Sequence, residues 1–155
     1  MADQTIIDEL IASYRELNHR VRGRDFGPPR SDADLANDTT SVMGILFQMR
    51  NRELRASQSV KNLLSGGESL GSDETPVDPS EATGAPHTVS ILLSQFGTAR
   101  EATLSQVRDR SDEEWAKVYE TPRGSMSLGD YLKTLVDRDR DRMQEIDQAM
   151  QKAGV

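Results

Sequence analysis

Apolar residues recur every three or four positions in four long stretches of this chain, and that spacing predicts four amphipathic helices. The first runs from about Asp3 to Arg22, with Ile6, Ile7, Leu10, Ile11, Tyr14, Leu17 and Val21 on one face. "GRDFGPPRSDAD" then breaks the pattern with glycine and a proline pair. The second helix opens at the capping residues Thr39–Ser41 and reaches about Leu64. Its stripe is Val42, Ile45, Leu46, Met49, Ala56, Val60, Leu63 and Leu64. The third spans about Thr88 to Arg108, with Val89, Leu92, Leu93, Phe96, Ala99, Thr103, Leu104 and Val107 inward. "SDEEW" (Ser111 to Trp115) has a serine cap and acids in the first turn, so it starts a short helix. "ETPRGSMS" reads as a loop, and the last helix runs from about Ser127 to Lys152. No strand-like alternation of useful length is visible. The expected fold class is all-α, a four-helix bundle forming one domain over 1–155.

Residues 65–86, "SGGESLGSDETPVDPSEATGAP", hold almost no large apolar side chains and many Gly, Pro, Ser and acids. Such a segment buries too little to order itself and is expected to be a flexible acidic connection. Its length exceeds what neighbouring antiparallel helices need, and suffices to carry the chain from one end of a bundle to the other.

Composition narrows the functional classes. The formal net charge is −7, which disfavours contact with nucleic-acid phosphates. The absence of cysteine removes disulfides, thiolate metal sites and cysteine nucleophiles. The acidic start "MADQTIIDEL" is unlike a signal peptide, and no apolar run reaches membrane-spanning length. A cytoplasmic protein that binds neither nucleic acid nor membrane is expected.

The run "TLVDRDRDRMQEI" (Thr134 to Ile146) alternates acids and arginines inside the last helix. At about 100° per residue, Leu128, Leu132, Leu135, Met143, Ile146 and Met150 form an apolar stripe. Asp139 falls near its centre, with Arg142 close beside it and Arg138 nearer the same edge. Asp137, Arg140 and Asp141 face outward. In the second helix Glu53 also occupies a core position. Buried charges persist only when paired and hydrogen-bonded. An inward cluster of Glu53 and Asp139 with Arg138 and Arg142 is therefore expected; the plainer alternative is that these side chains snorkel out at the bundle end.

Several local patterns, spread over nearly the whole chain, resemble those of the DinB-like superfamily, which includes the mycothiol-dependent maleylpyruvate isomerase N-terminal domain. "TTSVMGILFQMRNRE" is similar to the family's second-helix start. "LLSQFGTAREATLSQVRDRSDEEWAKVYETPRGSMSLGDYLKTLVDRDRDRMQEI" is similar to its third helix, the short Ser-acid-acid-Trp helix, and the last helix with its closing "QEI". The resemblance implies an up-down-down-up bundle with a long crossover between the second and third helices, and often a homodimer. It also implies a metal site of three histidines, one on the second helix and two spaced by four on the last. The positions that match are Gln48, or Met49 if the register slips by one, with Arg138 and Arg142. A guanidinium has no lone pair to offer a cation. No metal and no cofactor is therefore expected. The chain's histidines are His19 and His87; they are read as helix-end, capping or solvated residues. A carboxylate metal site from Glu53, Asp139 and Asp141 is a further alternative, disfavoured because Asp141 points outward.

The functional expectation is a non-catalytic binding or structural bundle. Gln48, Arg138 and Arg142 are its candidate ligand-binding positions, for a small anion clamped by two guanidiniums. The alternative is a metal-dependent thiol-transferase or hydrolase with a non-standard site. No "GxSxG" elbow is present, and "SGGESLG" lacks the Lys-Ser/Thr ending of a phosphate loop. Trp115 is expected to plug a bundle end, and Tyr14 and Tyr131 to lie on core stripes with hydroxyls available to a cavity.

Overall fold

Every described helix starts at a side chain that can accept hydrogen bonds from its open first-turn amides, which explains why the elements begin where they do. In the computed structural model, which describes residues 3–66, 86–121 and 123–154, Asp3 caps α1 (Gln4–Val21) by accepting from the Thr5 and Ile6 amides. Ser31 caps α2 (Asp32–Ala36), Ser41 caps α3 (Val42–Leu64) and Thr88 caps α4 (Val89–Val107). Ser111 and Glu114 form a reciprocal capping box on α5 (Asp112–Ala116), and Ser127 caps α6 (Leu128–Ala153). The described residues are mostly helical, with six helices and one two-stranded antiparallel sheet.

Two elements depart from the sequence reading. The segment read as a simple break contains α2. The segment read as a loop contains a hairpin, β1 (Val118–Thr121) paired with β2 (Gly124–Ser127). Each strand is four residues long, too short for period-two alternation to stand out. The turn is held by the Thr121 hydroxyl, which donates to the Gly124 carbonyl at 2.7 Å, and Gly124 takes a φ of 105°. Of the expected crossover at 65–86, residues 67–85 lie outside the described residues. No described helix is long and apolar enough to cross a membrane.

The apolar interior falls into two halves. One gathers Leu17, Leu46, Met49, Phe96, Met143 and Ile146. The other gathers Leu10, Ala56, Leu104, Trp115, Leu132 and Val136. Trp115 is buried in the second half, where its indole N–H donates to the Val107 carbonyl at 3.1 Å. Tyr131 is buried there too, and Tyr14 is half-buried against the first half.

A polar brace organises the entry to α3. The Asp38 carboxylate accepts from the Arg30 guanidinium at 2.7 Å, from the Ser41 hydroxyl at 2.7 Å and from the Thr40 and Ser41 amides at 3.0 Å each. Burial pushes its pKa up, but the bonds from Ser41, Arg30 and Thr40 together outweigh burial and hold it well below the usual carboxylate range. A carboxyl with a lowered folded-state pKa adds stability above its unfolded pKa, about 3.9, and loses it as pH falls toward the folded value. Asp38→Asn is therefore expected to lower the melting temperature at pH 7. That difference should shrink as the pH is taken from about 5 toward 3, which thermal melts of both proteins across that range would show.

Candidate functional site

A layer of polar side chains separates the two apolar halves, and each long helix contributes to it. Ser13 comes from α1, Glu53 from α3, Arg100 and Thr103 from α4, and Asp139 from α6. Along each helix these residues fall between members of the two halves: Leu10 and Leu17, Met49 and Ala56, Phe96 and Leu104, Val136 and Met143. Arg100 is 2% exposed, Glu53 3% and Asp139 7%. One terminal nitrogen of Arg100 donates to Glu53 Oε1 at 2.9 Å. The other lies 2.9 Å from Asp139 Oδ2 and donates to the Leu10 carbonyl at 2.9 Å. Ser13 donates to Asp139 Oδ2 at 2.6 Å, and Thr103 to Glu53 Oε2 at 2.9 Å. The guanidinium carbon stands 4.9 Å from the Phe96 ring centre, within cation–π reach.

The electrostatics follow from this geometry. Burial alone would weaken the Arg100 charge, but Glu53 and Asp139 outweigh it and push its pKa above the already high arginine value. The layer is thus a fixed cation between two carboxylates, with hydroxyls supplying further hydrogen bonds. Both carboxylates are engaged by Arg100.

Glu53 and Asp139 lie inward, but Arg142 does not serve them as the sequence reading expected. Its Nε lies 2.9 Å from Glu145 on its own helix, and Arg100 is the cation that bridges the two acids. The reason is reach: α4 packs against both α1 and α3, so a long side chain at its centre spans the layer. Arg100 was missed because its helix offered enough apolar residues to complete a stripe without it. The signal was present, since Arg100 sits four residues after Phe96 and three before Thr103. Arg138 is half-buried and borders the cluster, while Asp137, Arg140 and Asp141 are exposed.

Two open spaces adjoin the layer. A narrow cleft of about 20 Å³, room for one or two waters, touches Met49, Glu53, Arg138, Asp139 and Arg142. A groove of about 500 Å³ touches Ile45, Gln48, Arg52, Arg142 and Glu145, with Asn37 and Thr39 from the segment before α3 on its rim. Arg52 and Arg142 border both spaces. Gln48 therefore faces the groove rather than the cleft, and donates to the Ala36 carbonyl at 3.4 Å. His19 is exposed. His87 is neither a cap nor solvated: it is buried, exchanges backbone hydrogen bonds with Arg30, and sets its ring nitrogen against Asp32.

These residues do not fit a divalent cation. Gln48, Met49, Arg138 and Arg142 present amide, thioether and guanidinium groups, and guanidiniums offer no lone pair. The two nearest carboxylates are engaged by Arg100, and the exposed Asp141 is not available as a third donor to them. Among the described residues, no three His, Cys, Asp or Glu side chains converge as a metal site would need. The chain matches no known family model, no curated protein and no solved structure.

Proposed function

We propose that this chain is a DinB-like four-helix bundle in which an ion-paired layer stands where relatives would hold a metal, and that it binds a small anionic molecule rather than catalysing a reaction. The order of cross-helix pairs supports the up-down-down-up path. On α1 and α6, Glu9 meets Arg140, Ser13 meets Asp139 and Arg20 meets Asp147. On α3 and α4, Arg50 meets Gln95, Glu53 meets Arg100 and Ser57 meets Gln106. On α3 and α4 the numbers rise at every step, and on α1 and α6 they stay level from Glu9 to Ser13 and rise from Ser13 to Arg20, the trend of helices that run the same way. Parallel α3 and α4 need a long crossover between them.

The observation that carries the binding reading is the shared wall of cleft and groove. Arg142 has a side chain 27% exposed and touches Glu145 through Nε. Its terminal nitrogens make no hydrogen bond to another described residue, so they remain available to an anion held near Gln48 and Arg52. Thermal-shift screening with small carboxylates and phosphates is expected to find a stabilising ligand. Arg142→Gln should weaken that ligand about tenfold, the worth of roughly one charge-assisted hydrogen bond. If no compound raises the melting temperature, the structural role alone survives. The homodimer implied by the resemblance belongs to the same proposal, and sedimentation of the purified chain tests it directly.

A further inference from the structure

A second surface, along α1, also gathers cations beside open space. Residues 15–24, "RELNHRVRGR", carry four arginines and one glutamate in a chain of net charge −7. Arg15 and His19 on α1 and Arg22 just past its end, with Tyr14 and Asn18, border an open groove of about 450 Å³. Past Arg22 the groove continues into a pocket of about 180 Å³ between the end of α1 and the start of α4, bordered by Arg24, Ser90 and Ser94. No carboxylate borders either space among the described residues. By contrast, Glu145 lies in the groove over Arg142, and Glu53 and Asp139 in the cleft.

The side chains here are also uncommitted. Among the described residues, Arg15, His19 and Arg22 form no side-chain ion pair or hydrogen bond. Arg20 is held by Glu16 and Asp147, and Arg30 by Asp38. Arg24 donates through Nε to the Arg20 carbonyl at 2.7 Å, which fixes the start of its fork beside the pocket. The preference of cations for a helix C-terminus accounts for His19 and Arg20 in the last turn of α1. It does not account for Arg15, more than a turn earlier, or for Arg24 beyond the helix end.

We infer that this surface is a second binding site, separate from the groove over Arg142, that takes the phosphate group of a small phosphorylated molecule. Three arginines carry more charge than one carboxylate would neutralise, and guanidinium forks match phosphate oxygens two at a time. The pocket, at about 180 Å³, is several times the space a single water needs and has room for a phosphate group. The Tyr14 ring, which borders both spaces, gives the organic remainder an aromatic surface to lie on.

Titration of the full chain with phenyl phosphate, inorganic phosphate and acetate at constant ionic strength tests this, read by amide chemical shifts and calorimetry. Phenyl phosphate is expected to saturate, to shift Asn18, Ser90 and Ser94, and to bind at least about tenfold tighter than acetate. The double variant Arg15→Gln, Arg22→Gln should weaken it at least about tenfold while leaving the melting temperature unchanged, because neither side chain holds a partner. Arg142→Gln should leave it unchanged, which separates this site from the groove. Equal binding by the double variant, or shifts centred on Arg142, would overturn the inference. So would binding to vesicles of phosphatidylcholine and phosphatidic acid in equal parts without any response to phenyl phosphate.

Discussion

Arg100→Met is expected to destabilise the protein by about 3–5 kcal/mol, the usual loss when one member of a buried ion pair is removed. The substitution keeps an unbranched side chain of similar length in the space but leaves Glu53 and Asp139 facing each other without their shared cation. Both acids are nearly fully buried, so neither regains its hydration without opening the bundle. Thr103 and Ser13 would still donate to them, which offsets only part of the loss. The triple variant Glu53→Gln, Arg100→Met, Asp139→Asn should recover much of the stability, because no uncompensated charge then remains. Urea denaturation of the three proteins is the appropriate comparison. A loss below about 1 kcal/mol for Arg100→Met would mean that the layer is wetter and looser than its geometry implies.

Gly44→Ala is expected to cost about 1–3 kcal/mol, the range for forcing added volume into a packed site. A Cβ at this position would collide with the backbone carbonyl of Asp38, not with the far end of a movable side chain. Relief requires the segment that enters α3 to shift, and that segment also carries the Arg30–Asp38–Ser41 brace. Asn37 and Thr39 on the groove rim would move with it. The variant should therefore weaken any ligand of the groove as well as lower the melting temperature. Gly129→Ala is the matched control: its Cβ would meet Trp115 at 3.4 Å, an ordinary contact, and alanine favours a helix. Little change or a small gain is expected there.

The four long helices and α5 were legible in the sequence because their signals are local. Asp3, Ser41, Thr88, Ser111 and Ser127 each cap the helix that follows, and a capping side chain answers only to its own next turn. Glu53 and Asp139 were legible as inward acids because a wheel places them on an apolar face. Their partner was not, because pairing between helices depends on relative height and rotation, which no single helix encodes. The wheel offered arginines on the helix of Asp139, but Arg142 pairs with Glu145, and α4 supplies Arg100 from across the core. His87 illustrates the same limit. It stands beside a proline after a polar tract, where exposure is the natural reading. A two-way backbone bridge to Arg30, 57 positions earlier in sequence, buries it. The hairpin escaped because two four-residue strands joined by a tight turn carry too few alternating positions to register.

The metal content of the purified protein tests most directly the proposal that a guanidinium-centred layer stands where a metal would be held. Protein prepared without chelator, then exposed to excess Zn²⁺ or Ni²⁺ and desalted, is expected to retain far less than one ion per chain and to show no rise in melting temperature. Retention of one ion per chain, with a matching rise in stability that is lost on replacing Glu53 or Asp139, would contradict it.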